Sequence, residues 1–246
     1  MKNKKRKIAT IAVAITILGS IYNNKMSNKN NSIKYETTEP STNPIETFYT
    51  VPTETTRPFD PRDIFTTIDR PGFIKNTTTV YNWYNEEKSI CGSIDAFQKV
   101  YLISTNGEYT FALAENNEAY YIPNENIEIL PDSYIESDLS DKTTTLTYEK
   151  EIIGNFTVSI GAPETPTDEG YFEIKGKDYN RYLDGPGYHT YVNYFFYYNG
   201  GEGFHNLPGY TTFGEEVSHG CTRMRDEDIK LMGKYVYEGM KVLVHK

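Results

Sequence analysis

The chain is poor in cysteine, with Cys91 and Cys221 alone among 246 residues. Two thiols cannot form a disulfide scaffold, and the absence of a C-x-x-C pair removes the usual redox and zinc-finger signatures. Neither a P-loop nor a glycine-rich dinucleotide fingerprint occurs, so no nucleotide cofactor is indicated and no cofactor is expected. Basic charge is also scarce: 25 Lys and Arg against 34 Asp and Glu give a formal net charge of −9. Beyond the first residues no basic stripe exists to follow a phosphate backbone, which disfavours nucleic acid as a partner. Residues 23–70 lack glycine entirely and carry Pro40, Pro44, Pro52, Pro58 and Pro61 among many threonines. Such a stretch offers little for a packed core and reads as an extended or disordered spacer over 26–70.

Ahead of the spacer, Lys2, Lys4, Lys5, Arg6 and Lys7 precede an uncharged apolar run from Ile8 to Tyr22. A basic patch before an apolar run is the pattern of a signal peptide or a retained membrane anchor, here assigned to residues 1–25. Either form places the rest of the protein outside the cytoplasm, on the cell surface or in the wall.

What the chain has in quantity is tyrosine, 22 residues, which favours strand-rich structure. Short strands are expected at 72–74, 78–81, 98–102, 110–113 and 120–123, with Asn106-Gly107 as a hairpin turn. Five strands in about 60 residues suggest a small barrel over 71–131. Further strands are expected at 144–148, 156–160, 171–175, 191–198 and 240–245. Asp226–Tyr237 is the one clear helix, with Ile229, Met232 and Val236 on one side. The expected fold is therefore mainly β, with a second β-rich region over 134–246.

Chemistry concentrates in Ser218-His219-Gly220-Cys221-Thr222-Arg223-Met224 and in Gly203-Phe204-His205-Asn206, read as a glycine-rich loop. A thiol becomes a strong nucleophile beside an imidazole or a helix start. Gly220 permits backbone angles closed to other residues, so N–H groups there could face a developing oxyanion. His245, at the chain end, reads as a surface residue, and Cys91 as a small buried hydrophobe. His189, His205, His219 and Cys221 could also serve as zinc ligands, but they lack the tight paired spacing of zinc modules, and no metal is assigned.

His205, twelve intervening residues and then Ser218-His219-Gly220-Cys221 resemble the signature of YkuD-type L,D-transpeptidase catalytic domains. Thr222-Arg223-Met224, Val158-Ser159-Ile160-Gly161, Pro166-Thr167 and Asn199-Gly200-Gly201 are similar to that family as well. The region before it loosely resembles a bacterial SH3-like domain. Asp168-Glu169-Gly170 and Asn206 depart from the family pattern, where Gly follows Pro-Thr and Gly or Ser follows the histidine.

The resemblance implies a cysteine acyl-transferase acting on peptidoglycan stem peptides. Cys221 would be the nucleophile and His205 its base, with the carbonyl of Asn206 orienting the imidazole. Ser218, His219 and Gly220 would line the site, and N–H groups of His219, Gly220 and Cys221 would be oxyanion donors. Arg223 would bind a substrate carboxylate or form a structural ion pair. A Thr-Leu-x-Thr string, expected of a sortase, is absent. The alternatives are an L,D-carboxypeptidase and a wall-binding protein without catalysis.

Overall fold

A computed structural model describes residues 66–246, apart from 85, 86 and 186. The expected anchor (1–25) and nearly all of the spacer (26–70) lie outside the described residues. No helix among the described residues is long and apolar enough to cross a membrane.

The first sheet holds β1 (Thr66–Ile74), β2 (Thr78–Tyr84), β3 (Glu87–Ile94), β4 (Lys99–Thr105), β5 (Tyr109–Ala114), β6 (Ala119–Pro123) and β7 (Ile127–Ile129). Their order is β3-β2-β6-β5-β4-β1-β7. Two of these, β3 and β7, were not legible in the sequence. β3 is an outer strand with a largely exposed surface, so no apolar alternation marks it. Cys91 lies there and is exposed, contrary to the buried placement expected for it. The strand β1 also begins five residues before the expected spacer boundary, because a register shift between Thr67 and Arg70, with Asp69 at φ 54°, carries pairing past Pro71. Inside the sheet Ile74, Val80, Val100, Leu102, Ala112 and Ile122 form a buried cluster.

The second region contains β8 (Tyr134–Asp138), β9 (Thr143–Tyr148), β10 (Glu151–Thr157), β11 (Ile160–Gly161), β12 (Gly170–Glu173), β13 (Gly176–Gly185), β14 (Tyr188–Asn199), β15 (Glu202–Asn206), β16 (Glu216–Ser218), β17 (Thr222–Met224), α1 (Asp226–Met232) and β18 (Lys241–His245). Three sheets result, ordered β10-β9-β8-β18-β12, β13-β14-β15-β17 and β11-β16. Their inner faces and α1 enclose one core that includes Ile135, Leu146, Val158, Phe196, Tyr198, Phe204, Ile229 and Val242. The helix is shorter than expected, closing at Gly233 and continuing as turns through Val236.

The last strand, β18, is internal to its sheet, parallel to β8 and antiparallel to β12. His245 is therefore buried, not a surface residue, and its Nε2 lies 3.2 Å from Glu136 Oε1. Lys99 of β4 pairs with the same carboxylate. Beside this ion pair Phe73, Leu130, Tyr134 and Leu243 make a second buried cluster joining the two β regions.

Candidate active site

The β14–β15 hairpin and the parallel strand β17 set the site. His205 is not in a loop: it lies in β15, in register with Arg223 of β17 on one side and Phe195 of β14 on the other. Parallel pairing of Phe204 with Thr222 and His205 with Arg223 places Cys221, one residue before β17, at the end of the strand next to the histidine. Phe204, Thr222 and Met224 meanwhile point into the core.

The Cys loop is tied from several sides. Ser218 Oγ donates to the carbonyl of Cys221 at 2.5 Å and accepts the Gly220 N–H at 3.2 Å. Thr167 Oγ1 donates to Gly220 O at 2.8 Å while accepting the Gly161 N–H at 2.9 Å. Thr165 Oγ1 donates to Ser218 O at 2.9 Å. A side chain at Gly161 would collide with this brace, since a Cβ there would fall 2.3 Å from Thr165 O. Gly220 adopts φ +108°, a region that L side chains rarely enter.

His205 is buried, and its Nδ1–H donates to the carbonyl of Asn206 at 2.7 Å. A carbonyl only accepts, so this bond fixes the tautomer and leaves Nε2 as the free base nitrogen. Burial, with a smaller push from the Arg223 charge, lowers the imidazole pKa to about 4, against the Asn206 carbonyl. Cys221 Sγ sits 3.4 Å from Gly201 O. Burial raises the thiol to about 11 and the Glu202 carboxylate adds to it, while the Gly203 N–H and Arg223 oppose. The resting pair is thus a neutral thiol and a neutral imidazole. A lowered thiol pKa was expected from a nearby helix start, but β17 stands between Cys221 and α1.

Cys221, His205, Ser218, His219 and Arg223 line one cavity of about 70 Å³. Leu183, Tyr188, Thr190 and Leu207 complete its wall. The first three come from the β13–β14 hairpin, of which the sequence showed β14 from residue 191 onward but not β13. The residues of β13 are largely polar, and only the Pro186-Gly187 turn pair could have signalled that strand. Tyr188 packs on His219 with ring centroids 4.8 Å apart. Arg223 lies 5.3 Å from the Tyr210 ring, has no carboxylate partner among the described residues, and keeps a buried, unbonded Nε.

Two expected site residues lie elsewhere. Gly220 braces the loop from behind and is not part of the cavity wall. Asn206 is fully buried away from the cavity. Its Oδ1 accepts the N–H groups of Asn193 and Tyr194, at 2.9 and 3.1 Å, and its Nδ2 donates to Asn193 Oδ1 and Asp226 Oδ1, both at 2.9 Å. Only its carbonyl serves His205. The amide replaces the small residue of the family pattern with a four-bond anchor to β14 and α1. Asn206→Ala should cost about 3 kcal/mol in urea unfolding, since it strands buried partners. An unchanged midpoint would show the network to be dispensable. His189 sits apart at the hairpin, stacked on Tyr182 and next to Asp184.

A mainly β domain that gathers an imidazole from one strand and a thiol from the loop leading into its neighbour into one cavity defines the class. Residues 132–244 match the YkuD family model, that of the L,D-transpeptidase catalytic domain. No curated protein gives a significant match. Among solved structures, the catalytic domain of an E. faecium L,D-transpeptidase is 28% identical, with 46% of this chain and 97% of that one covered and a TM-score of 0.43. An L,D-transpeptidase from Mycobacterium smegmatis is 19% identical over 56% of this chain and 78% of that one, with a TM-score of 0.44. L,D-transpeptidase 3 from Mycobacterium tuberculosis is 20% identical over 56% and 79%, with a TM-score of 0.43.

Proposed function

We propose that the protein cross-links peptidoglycan stem peptides by acyl transfer through Cys221. The observation that carries this reading is the shared cavity of Cys221 and His205, with His205 Nδ1 already committed to the Asn206 carbonyl. As a donor tetrapeptide enters, Nε2 of His205 takes the thiol proton, and sulfur attacks the carbonyl before the terminal D-Ala. The tetrahedral intermediate collapses to a thioester as D-Ala leaves with a proton from the imidazolium. An amine of a second stem then attacks the thioester, His205 accepts its proton, and the thiol is restored. The product is a 3→3 cross-link.

The oxyanion donors in this reading are the N–H groups of His219 and Cys221, because that of Gly220 is held by Ser218. Arg223, without an ion-pair partner among the described residues and on the cavity wall, binds the donor's terminal carboxylate. Arg223→Gln should raise KM for the tetrapeptide and lower kcat/KM roughly tenfold to a hundredfold, with a smaller change in kcat. A loss confined to kcat would remove the carboxylate role. The substrate places the enzyme outside the cytoplasm, with the basic and apolar first residues as its export signal or anchor, residues 26–70 as spacer, and the N-terminal sheet as a wall-facing module. Incubating purified tetrapeptide with the protein tests the function: free D-Ala and a cross-linked dimer support it, and an unaltered peptide contradicts it. D-Ala release without dimer would indicate the carboxypeptidase.

A further inference from the structure

Glu202 was not singled out in the sequence, yet it stands at the back of the nucleophile's loop. It opens β15, directly after the Asn199-Gly200-Gly201 turn, and is half-buried. A Cβ placed on Gly220 would lie 2.7 Å from Glu202 Oε1 and 3.4 Å from its Cδ, so the carboxyl packs against the residue that precedes Cys221. Two tethers hold it there. The Asp168 N–H donates to Oε1 and Oε2 at 3.2 and 3.4 Å, and Asn199 Nδ2 reaches Oε2 at 3.5 Å. Asn199 Nδ2 also donates to Asp168 Oδ2 at 2.9 Å, which draws a second carboxylate into the same cluster. Asp168 belongs to the segment that departs from the family pattern.

We propose that Glu202 is a positioning residue for the nucleophile: its carboxyl, clamped on Gly220, governs how readily Cys221 gives up its proton. This rests on Cys221 being the attacking group. The charged and titratable neighbours define the balance. On the Glu202 side are Asp168, from the loop before β12, and the buried hydroxyl of Tyr198 in β14. On the other side of Cys221, Arg223 of β17 favours the thiolate, and His205 of β15 is neutral. No cation neutralises Glu202 among the described residues. Burial first, and then the charge of Asp168, raise its own pKa to about 7, against the pull of the Asp168 N–H and Asn199.

The sign follows. Below about pH 7 Glu202 is protonated and exerts no charge on the thiol. Above it the carboxylate repels the thiolate, so part of the reactivity gained by raising the pH is cancelled. A purely structural role, tying the loop at Asp168 to the turn at Asn199, would change reactivity by the same factor at every pH.

Glu202→Gln separates the two, since the amide keeps the shape and an acceptor oxygen but not the charge. The readout is the rate of iodoacetamide modification of Cys221 in the full chain from pH 5.5 to 9.5. Peptide mass mapping resolves it from Cys91, which is also free and exposed. The ratio of variant to wild-type rate should stay near one at pH 5.5 and climb about threefold to tenfold above pH 8. Asp168→Asn, which removes the neighbouring charge, should move the break in the profile to lower pH and serves if the Gln variant does not fold. A ratio that is constant across pH, with an unmoved break in Asp168→Asn, would overturn the proposal. Iodoacetamide needs no peptide substrate, so that outcome would leave the acyl-transfer reading to its own test.

Discussion

Cys221→Ala should reduce D-Ala release and dimer formation to background, a loss of at least about 10³-fold, while the protein stays folded. The asymmetry comes from the geometry. The Cys221 sulfur lies 3.4 Å from Gly201 O and faces the Gly203 N–H, and the loop around it is held by Ser218, Thr165 and Thr167 through backbone atoms that the variant retains. Removing one sulfur from a partly exposed position therefore costs little stability, on the order of 1 kcal/mol or less. Product analysis by mass spectrometry checks the first half and thermal unfolding the second. Retained wall binding with lost products separates an enzyme from a binding module. Undiminished products from a folded Cys221→Ala protein would remove the thiol from the mechanism.

His205→Gln carries the second large effect, in two independent readouts. Acylation should fall roughly 10²- to 10⁴-fold, because the only base positioned by the Asn206 carbonyl is gone. The wild-type profile should keep its base competent until the pH approaches about 4, well below an ordinary histidine. Stability gives the second readout. The folded-state pKa lies below the unfolded value, so as pH falls the unfolded chain binds its proton first. Stability is then lost from about pH 6.5 downward until the folded group titrates near 4. The full loss is about 3 kcal/mol. In His205→Gln that part of the acid sensitivity disappears, and the Glu136–His245 pair, present in both proteins, contributes equally to each. Urea unfolding at pH 7 and pH 4.5 measures it. Equal acid losses in the two proteins would mean that His205 is not held neutral.

The parts of this fold that were legible are those written in local chemistry. The Ser218-to-Cys221 string, the apolar side of α1, the threonine-rich strand β9 and the apolar strands β14 and β18 stand out as short-range patterns. The parts that were not legible depend on neighbours far along the chain. His205 was read as part of a glycine-rich loop because Asn199-Gly200-Gly201 and Gly203 surround it, yet pairing with β14 and β17 draws it into a strand. His245 looked exposed at a chain end until β18 inserted between β8 and β12. β13 and β3 hold too many polar residues to announce themselves, and the first of them supplies part of the cavity wall through Leu183. Glu202 was invisible for a related reason: its meaning lies in a contact with Gly220, 18 positions away. The early start of β1 has a practical consequence, since a fragment cut at residue 71 would sever the strand that pairs with β4 and β7.

The most direct test of the central claim is intact-mass analysis of the full chain after exposure to a carbapenem, with the modified peptide then sequenced. The account predicts one covalent adduct, located on Cys221, absent from Cys221→Ala and much slower to form in His205→Gln. Folded, reduced protein that acquires no adduct, or that carries it on Cys91 alone, would contradict it.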